Sequence, residues 1–286
     1  MARFRSIFGK LFRALGDWLS DRTPQRSSLE YDAQQMLQGL DLKADATSFA
    51  MARADDLYDN LQAEIEKKHA NLKHPFARLL IEGKLTREQL RGWARQRYKG
   101  ITGMGMKNVA PLFVKAPDDR VRRHIWELLG EESGYVGDEP SHSEWLFQFG
   151  AALGLSREEM EETEPLPETV AVNCFFLNRL HLGSFLEGLM AMVAVESQNP
   201  QGFAAWAKSL QENYGLKPED LRFFLGHVEA DSEEGGHAGA AWEIVREHAT
   251  TDEAQRQARR AVTDSLNVYW LSLDGIKRAY VDGAAA

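Results

Sequence analysis

A chain of 286 residues, 43% hydrophobic and 10% aromatic, carries ample material for a sizeable core, as one large domain or two small ones. A formal net charge of −9 excludes general nucleic-acid binding, which needs a basic footprint. The single cysteine, Cys174, excludes an intramolecular disulfide and a Cys-based zinc site and suits a reducing cytoplasm, and no apolar run approaches the roughly 20 residues of a membrane span.

Residues 1–28 read as a basic amphipathic extension. Phe4, Ile7, Phe8, Leu11, Phe12, Leu15, Trp18 and Leu19 recur at helical spacing between Arg3, Arg5, Lys10 and Arg13. Such a helix lies on an anionic membrane surface, docks on a partner, packs on its own domain or serves as a transit sequence. It has neither the apolar core nor the cleavage site of a secretory signal. The expected location is the cytoplasm, with peripheral contact through this helix.

From residue 29 to 286 nearly everything reads as helix in one domain. Asp55 to His69 has helical apolar spacing, and His74-Pro75-Phe76 breaks it. Thr86-Arg-Glu-Gln89 and Ser156-Arg-Glu-Glu159 match the capping box, S/T-x-x-E/Q, at the start of two helices. A helix from Arg120 to Glu132 stops at the glycine-rich Gly134 to Pro140, and Ser143 to Leu153 is the next. A long apolar helix is expected from about Glu168 to Gln198, another from Pro218 through HVEADSEEGGH, and a last one from Asp252 to Ala279. Strand alternation and hairpin turns are absent, so the expected class is all-α.

Three places carry candidate chemistry. In HVEADSEEGGH, His227, Asp231 and Glu234 are spaced i, i+4, i+7 and share a helix face, while His237 drifts roughly 80° off it. Spacing alone leaves a solvated charge run and a metal-site wall both open. Glu196 ends FLEGLMAMVAVES, a run apolar on nearly every side and therefore central, where a carboxylate needs a partner. In LLGEESGYVGDEPSH, Glu132 closes one helix and His142 opens the next, with Glu139 three residues before that histidine. Mixed imidazole and carboxylate ligands suit iron or manganese, and helical bundles hold di-iron sites in such cages.

Three segments resemble the superfamily of pyrroloquinoline-quinone synthase, thiaminase-II-like proteins and haem-oxygenase-like di-iron oxidases. They are HPFARLLIEGKLTREQLRGWARQRY, EESGYVGDEPSH, and FFLGHVEADSEEGGHA followed by SLNVYWLSLDGI. The resemblance covers about Leu57 to Ala279 and implies a haem-oxygenase-like bundle of about seven helices. The oxidase branch implies metal ligands at Glu132, His142, Glu196, His227 and Asp231. Its sixth position falls on Glu234 instead of histidine, so Glu234 ligates, His237 substitutes, or only one iron is held firmly. In the quinone-synthase branch a lysine usually precedes the Leu-x-x-x-Trp unit; that position here is Ser265.

The function implied is a non-haem iron, in the first instance di-iron, oxidase or oxygenase acting on a small-molecule metabolite. Its cofactor would be Fe(II), two ions with the second more weakly bound; its co-substrate would be dioxygen, and a homodimer is a further expectation. Alternatives are a cofactor-independent oxidase and a non-catalytic helical protein tethered by its N-terminal helix. Cys174 is expected as a small buried apolar residue. The tryptophans are expected in the core, His69 and His74 are expected to be structural, and Arg95 and Tyr98 are candidate substrate contacts.

Overall fold

The structure, a computed structural model of the chain, describes residues 54–100, 106–134, 140–232 and 237–283. The basic extension 1–28 and its boundary at residue 29 lie outside the described residues. In chain order the helices are α1 (Ala54–Lys67), α2 (Ala70–Lys73), α3 (Pro75–Ile81), α4 (Arg87–Lys99), α5 (Met106–Lys115), α6 (Asp119–Ser133) and α7 (His142–Ala152). There follow α8 (Arg157–Glu161), α9 (Pro167–His181), α10 (Phe185–Glu196), α11 (Asn199–Tyr214), a 3-10 turn (Pro218–Leu221), α12 (Arg222–Ser232), α13 (His237–His248) and α14 (Asp252–Tyr280). No strand occurs among the described residues. The protein is all-α.

Local chemistry explains where helices start and stop. Thr86 and Ser156 form the reciprocal capping boxes that their sequences imply. A third box, at Ser184, divides the single long helix expected over residues 168–198. The Ser184 hydroxyl accepts from the Glu187 N–H at 3.2 Å, and the Glu187 carboxylate accepts from the Ser184 N–H at 2.8 Å. The turn at Leu182–Ser184 lets α10 fold back against α9, and both pack on α14. Similar punctuation raises the number of segments above seven: α5 and α11, which the periodicity does not announce, carry Pro111 inside and Pro200 in the first turn.

Two hydrophobic clusters form the interior. One gathers residues of α1, α5, α6, α9, α10 and α13 with Ala258, Ala261, Val262 and Leu266 of α14. The other gathers α3, α4, α7, α11 and α12 with Tyr269, Leu273 and Ile276 of the same α14. Helix α10 is central, as its composition implies: nine of its 12 residues are buried. Val195 packs against both clusters.

The end of α10 is held by a buried polar knot. Gln198 Oε1 accepts from the Ala70 N–H at 2.6 Å, and Asn71 donates to the Gln198 carbonyl at 3.3 Å. Asn71 also accepts from Trp206 Nε1 at 2.7 Å through its carbonyl and from the Tyr269 hydroxyl at 2.6 Å through Oδ1. Gly202 permits this approach, because a Cβ there would overlap the Asn71 side chain.

Two burial expectations fail. Cys174 is exposed, because it lies on the outward face of α9 one turn after the exposed Val170. Trp126 is 62% exposed, its ring tilted at 53° to that of Phe113, whereas Trp93 and Trp206 are fully buried. His69 and His74 are buried; His74 caps α3 by accepting from the Phe76 N–H, which leaves Nε2–H to donate to Asp274 at 3.0 Å.

Candidate metal centre

The corner between α6 and α7 brings two of the expected residues together. Helix α6 ends at Gly134, whose φ of 71° is the left-handed conformation that glycine adopts without a Cβ clash. Glu132 therefore sits in the last turn. Ser141 opens α7 by accepting from the Glu144 N–H at 3.3 Å, which makes His142 the first helical residue. His142 Nδ1 lies 3.0 Å from Glu132 Oε1, and both side chains are largely buried.

His227, in the middle of α12, completes the group. Glu132, His142 and His227 each offer one ligand atom within 4.8 Å of the other two. The imidazole rings of His142 and His227 are 4.5 Å apart, and His142 stacks on Trp145 at 4.6 Å. Gly226 lets α12 come this close, since a Cβ there would stand 3.0 Å from the Trp145 ring.

The orientation of His227 is fixed by its own helix. Its Nδ1 lies 2.6 Å from the Phe223 carbonyl, which can only accept, so Nδ1 carries the proton and Nε2 keeps its lone pair. Burial, reinforced by His142, pushes the His227 pKa down to about 3, with Glu132 pulling the other way. The ring is thus neutral at pH 7 and has no proton to shed before binding a cation. The negative end of the α6 dipole adds to the Glu132 charge. One carboxylate and two imidazoles, with no thiol, form a donor set that fits iron or manganese.

The other expected ligands fall elsewhere. Glu196 is the last residue of α10 and half-buried, outside the three-residue group. Asp231 stands one turn after His227 on α12; its side chain and that of His237, and Glu139 and Glu234 altogether, lie outside the described residues. Helix α12 is described to Ser232 and α13 from His237, and the stretch between them, on which the expected continuous helix through HVEADSEEGGH depends, lies outside the described residues.

A cavity of about 60 Å³ is lined by Trp93, Gln96 and Arg97 of α4, Val172 of α9, Val195, and Tyr269 of α14, among others. Arg95 and Tyr98, the expected contacts on α4, face other ways: Arg95 pairs with Glu88 and Glu159, and Tyr98 packs on Phe147. Arg97 takes their place. The signal was available, because Trp93, Gln96, Arg97 and Gly100 recur at i, i+3, i+4 and i+7. Ser265, at the position of the quinone-synthase lysine, is fully buried and donates to the Ala191 carbonyl at 2.7 Å.

Comparison with known proteins agrees with this architecture. A family model described as "Iron-containing redox enzyme" matches residues 91–270. The chain is 32% identical to a 4-aminobenzoate synthase of Nitrosomonas europaea over 226 residues, 76% of this chain and 89% of that protein. It is 29% identical to a pyrroloquinoline-quinone synthase of Acidiphilium cryptum, covering 79% of this chain and 90% of that one. Among solved structures, a domain with a heme-oxygenase-like fold from Shewanella denitrificans superposes with a TM-score of 0.67 at 19% identity, over 83% of this chain and 97% of that chain. A TenA homologue from Pseudomonas syringae gives 0.63 at 16% identity, over 81% and 98%.

Proposed function

Because the chain belongs to the family of iron-containing redox enzymes, we propose that it is a non-haem iron oxidase acting with dioxygen on a small-molecule substrate of a biosynthetic reaction. The observation that supports this reading best is the convergence of Glu132, His142 and His227 from three helices on one point. Glu196 and Asp231 are proposed to complete the centre, with Glu234 or His237 available to a second, weaker ion.

Iron supplies the electrons and open coordination positions that dioxygen chemistry requires. The chain's own residues do the rest. Glu132 offsets cationic charge, and the Phe223 carbonyl holds the His227 ring so that Nε2 remains the donor. Phe203, Phe223 and Trp145 pack around the two imidazoles and limit water there. The buried Ser265 counts against the metal-free alternative, because that branch places a lysine at this position.

Anaerobic titration with Fe(II), followed by metal analysis and optical spectra on admitting oxygen, tests the reading. One to two irons per chain are expected in the parent protein. Glu132→Gln, His142→Gln and His227→Gln should each weaken iron binding at least about tenfold, since the site loses one of its few donors. A parent protein that binds no iron would sink the proposal and promote the metal-free oxidase.

A further inference from the structure

Helices α6 and α13 are joined at one end by two ion pairs, Arg120 with Glu247 and Asp118 with His248, the latter at 3.3 Å. Beyond that end the two helices stand apart instead of packing closely, and a cleft of about 280 Å³ opens between them. Arg120, Arg123, His124 and Glu127 line it from α6; at i, i+3, i+4 and i+7 they share one face of that helix. Val121 of α6, with Ala240 and Ile244 one turn apart on α13, supplies the apolar part of the lining. Val121 and Ile244 are 0% and 1% exposed and belong to the first interior cluster, so the floor of the cleft is packed core.

The charges in the cleft differ in their partners. Arg120 is engaged by Glu247. Arg123 and Glu127 are exposed, and neither is in ion-pair contact with any described residue, the other included. They stand one helical turn apart, with about 5–6 Å between Cβ atoms at that spacing. A simple anion drawn to Arg123 would meet Glu127, and a simple cation drawn to Glu127 would meet Arg123. A molecule carrying both charges satisfies both side chains. The apolar floor adds a third requirement, and the volume, just under the range of about 300–1,000 Å³ usual for small-molecule sites, sets the size.

We propose that the cleft between α6 and α13 binds a free α-amino acid with an apolar side chain. Its carboxylate lies on Arg123, its ammonium on Glu127 and its side chain against Val121, Ala240 and Ile244. None of Glu132, His142 and His227 lines this cleft, so the site is separate from the metal centre and stands without the metal reading. Arg123 and Glu127 are solvated, so each contact stabilises only modestly and the affinity expected is about 1 mM. Selectivity comes from meeting three parts of one molecule at once: a ligand that lacks either charge leaves one side chain of the pair unmatched.

The test is calorimetric titration of the full-length protein with L-phenylalanine and L-leucine. The controls are phenylalaninamide, which lacks the carboxylate, N-acetylphenylalanine, which lacks the ammonium, and glycine, which lacks the apolar side chain. The two amino acids should bind saturably, one per chain, and each control at least about threefold more weakly. Arg123→Gln and Glu127→Gln replace exposed side chains and should keep the parent circular dichroism. Each should weaken phenylalanine binding about threefold to fivefold, and Arg123→Gln should narrow the gap between phenylalanine and its amide. Ala240→Trp fills the cleft and should abolish binding, whereas His227→Gln should leave it unchanged. No saturable binding in the parent overturns the proposal, and so does an amide or acetyl derivative that binds as well as phenylalanine. Binding that survives both charge variants and Ala240→Trp, or that is lost in His227→Gln, puts the amino acid at another site and overturns the proposal equally.

Discussion

Three histidines, His69, His74 and His227, are held below the ordinary imidazole range, burial being the first cause in each. The unfolded chain takes up protons at these rings below about pH 6.5, whereas the folded chain resists them. The unfolded state therefore binds more protons in acid. The contribution of these rings is fully present above about pH 6.5 and is lost as pH falls toward the folded values, about 3 for His227. The urea midpoint of the metal-free protein should fall between pH 7 and pH 5. His69 is the cleanest probe, since it is 2% exposed and neither ring nitrogen has a partner. His69→Leu should flatten that pH dependence; an identical slope would show that its burial costs nothing. At this scale the sequence was informative about which types would matter, and blind to direction. Glu132 and His142 could be paired by loop length, but Arg97 facing inward and Arg95 facing outward depends on how α4 is rolled against α9 and α14.

Helix ends were the most legible elements. Thr86 and Ser156 announced their helices because a capping box is written in four consecutive residues. Ser184-Phe-Leu-Glu187 carries the same signature, but the apolar run around it drowned the signal, and α9 and α10 merged into one expected helix. Burial was legible where a helix is apolar all round, as in α10, and misleading on α9, where the one cysteine faces outward. Contacts between helices leave little trace in local sequence. Gly202 shows why: its reason lies at Asn71, 131 positions earlier, whose hydrogen bonds lock α2, α11, α14 and the end of α10. Gly202→Ala should destabilise the protein by about 1–3 kcal/mol, the usual cost of overpacking a tight interface. Thermal denaturation measures it, and a change below about 0.5 kcal/mol would mean that Asn71 yields easily.

Across the whole molecule, the three proposed ligands tie the neighbouring helices α6 and α7 to α12, far along the chain, at one point. An ion held there binds the folded chain and not the unfolded one, so at 100 times its dissociation constant it adds about 2.7 kcal/mol of stability. Removing metal with a chelator should lower the melting temperature by several degrees. The largest loss of amide-exchange protection is expected at the end of α6, the start of α7 and the middle of α12. Protection lost evenly over the chain would speak against a local tether. The position of Val195 carries a consequence of a different kind. This residue packs against both interior clusters and immediately precedes Glu196. Substitutions drifting through either half of the interior therefore converge on a single joint, beside the carboxylate proposed to complete the metal centre. The two halves are bound to diversify in step, and a chimera spliced from two distant relatives should keep its activity only when α10 and the residues packed on both its sides come from the same parent.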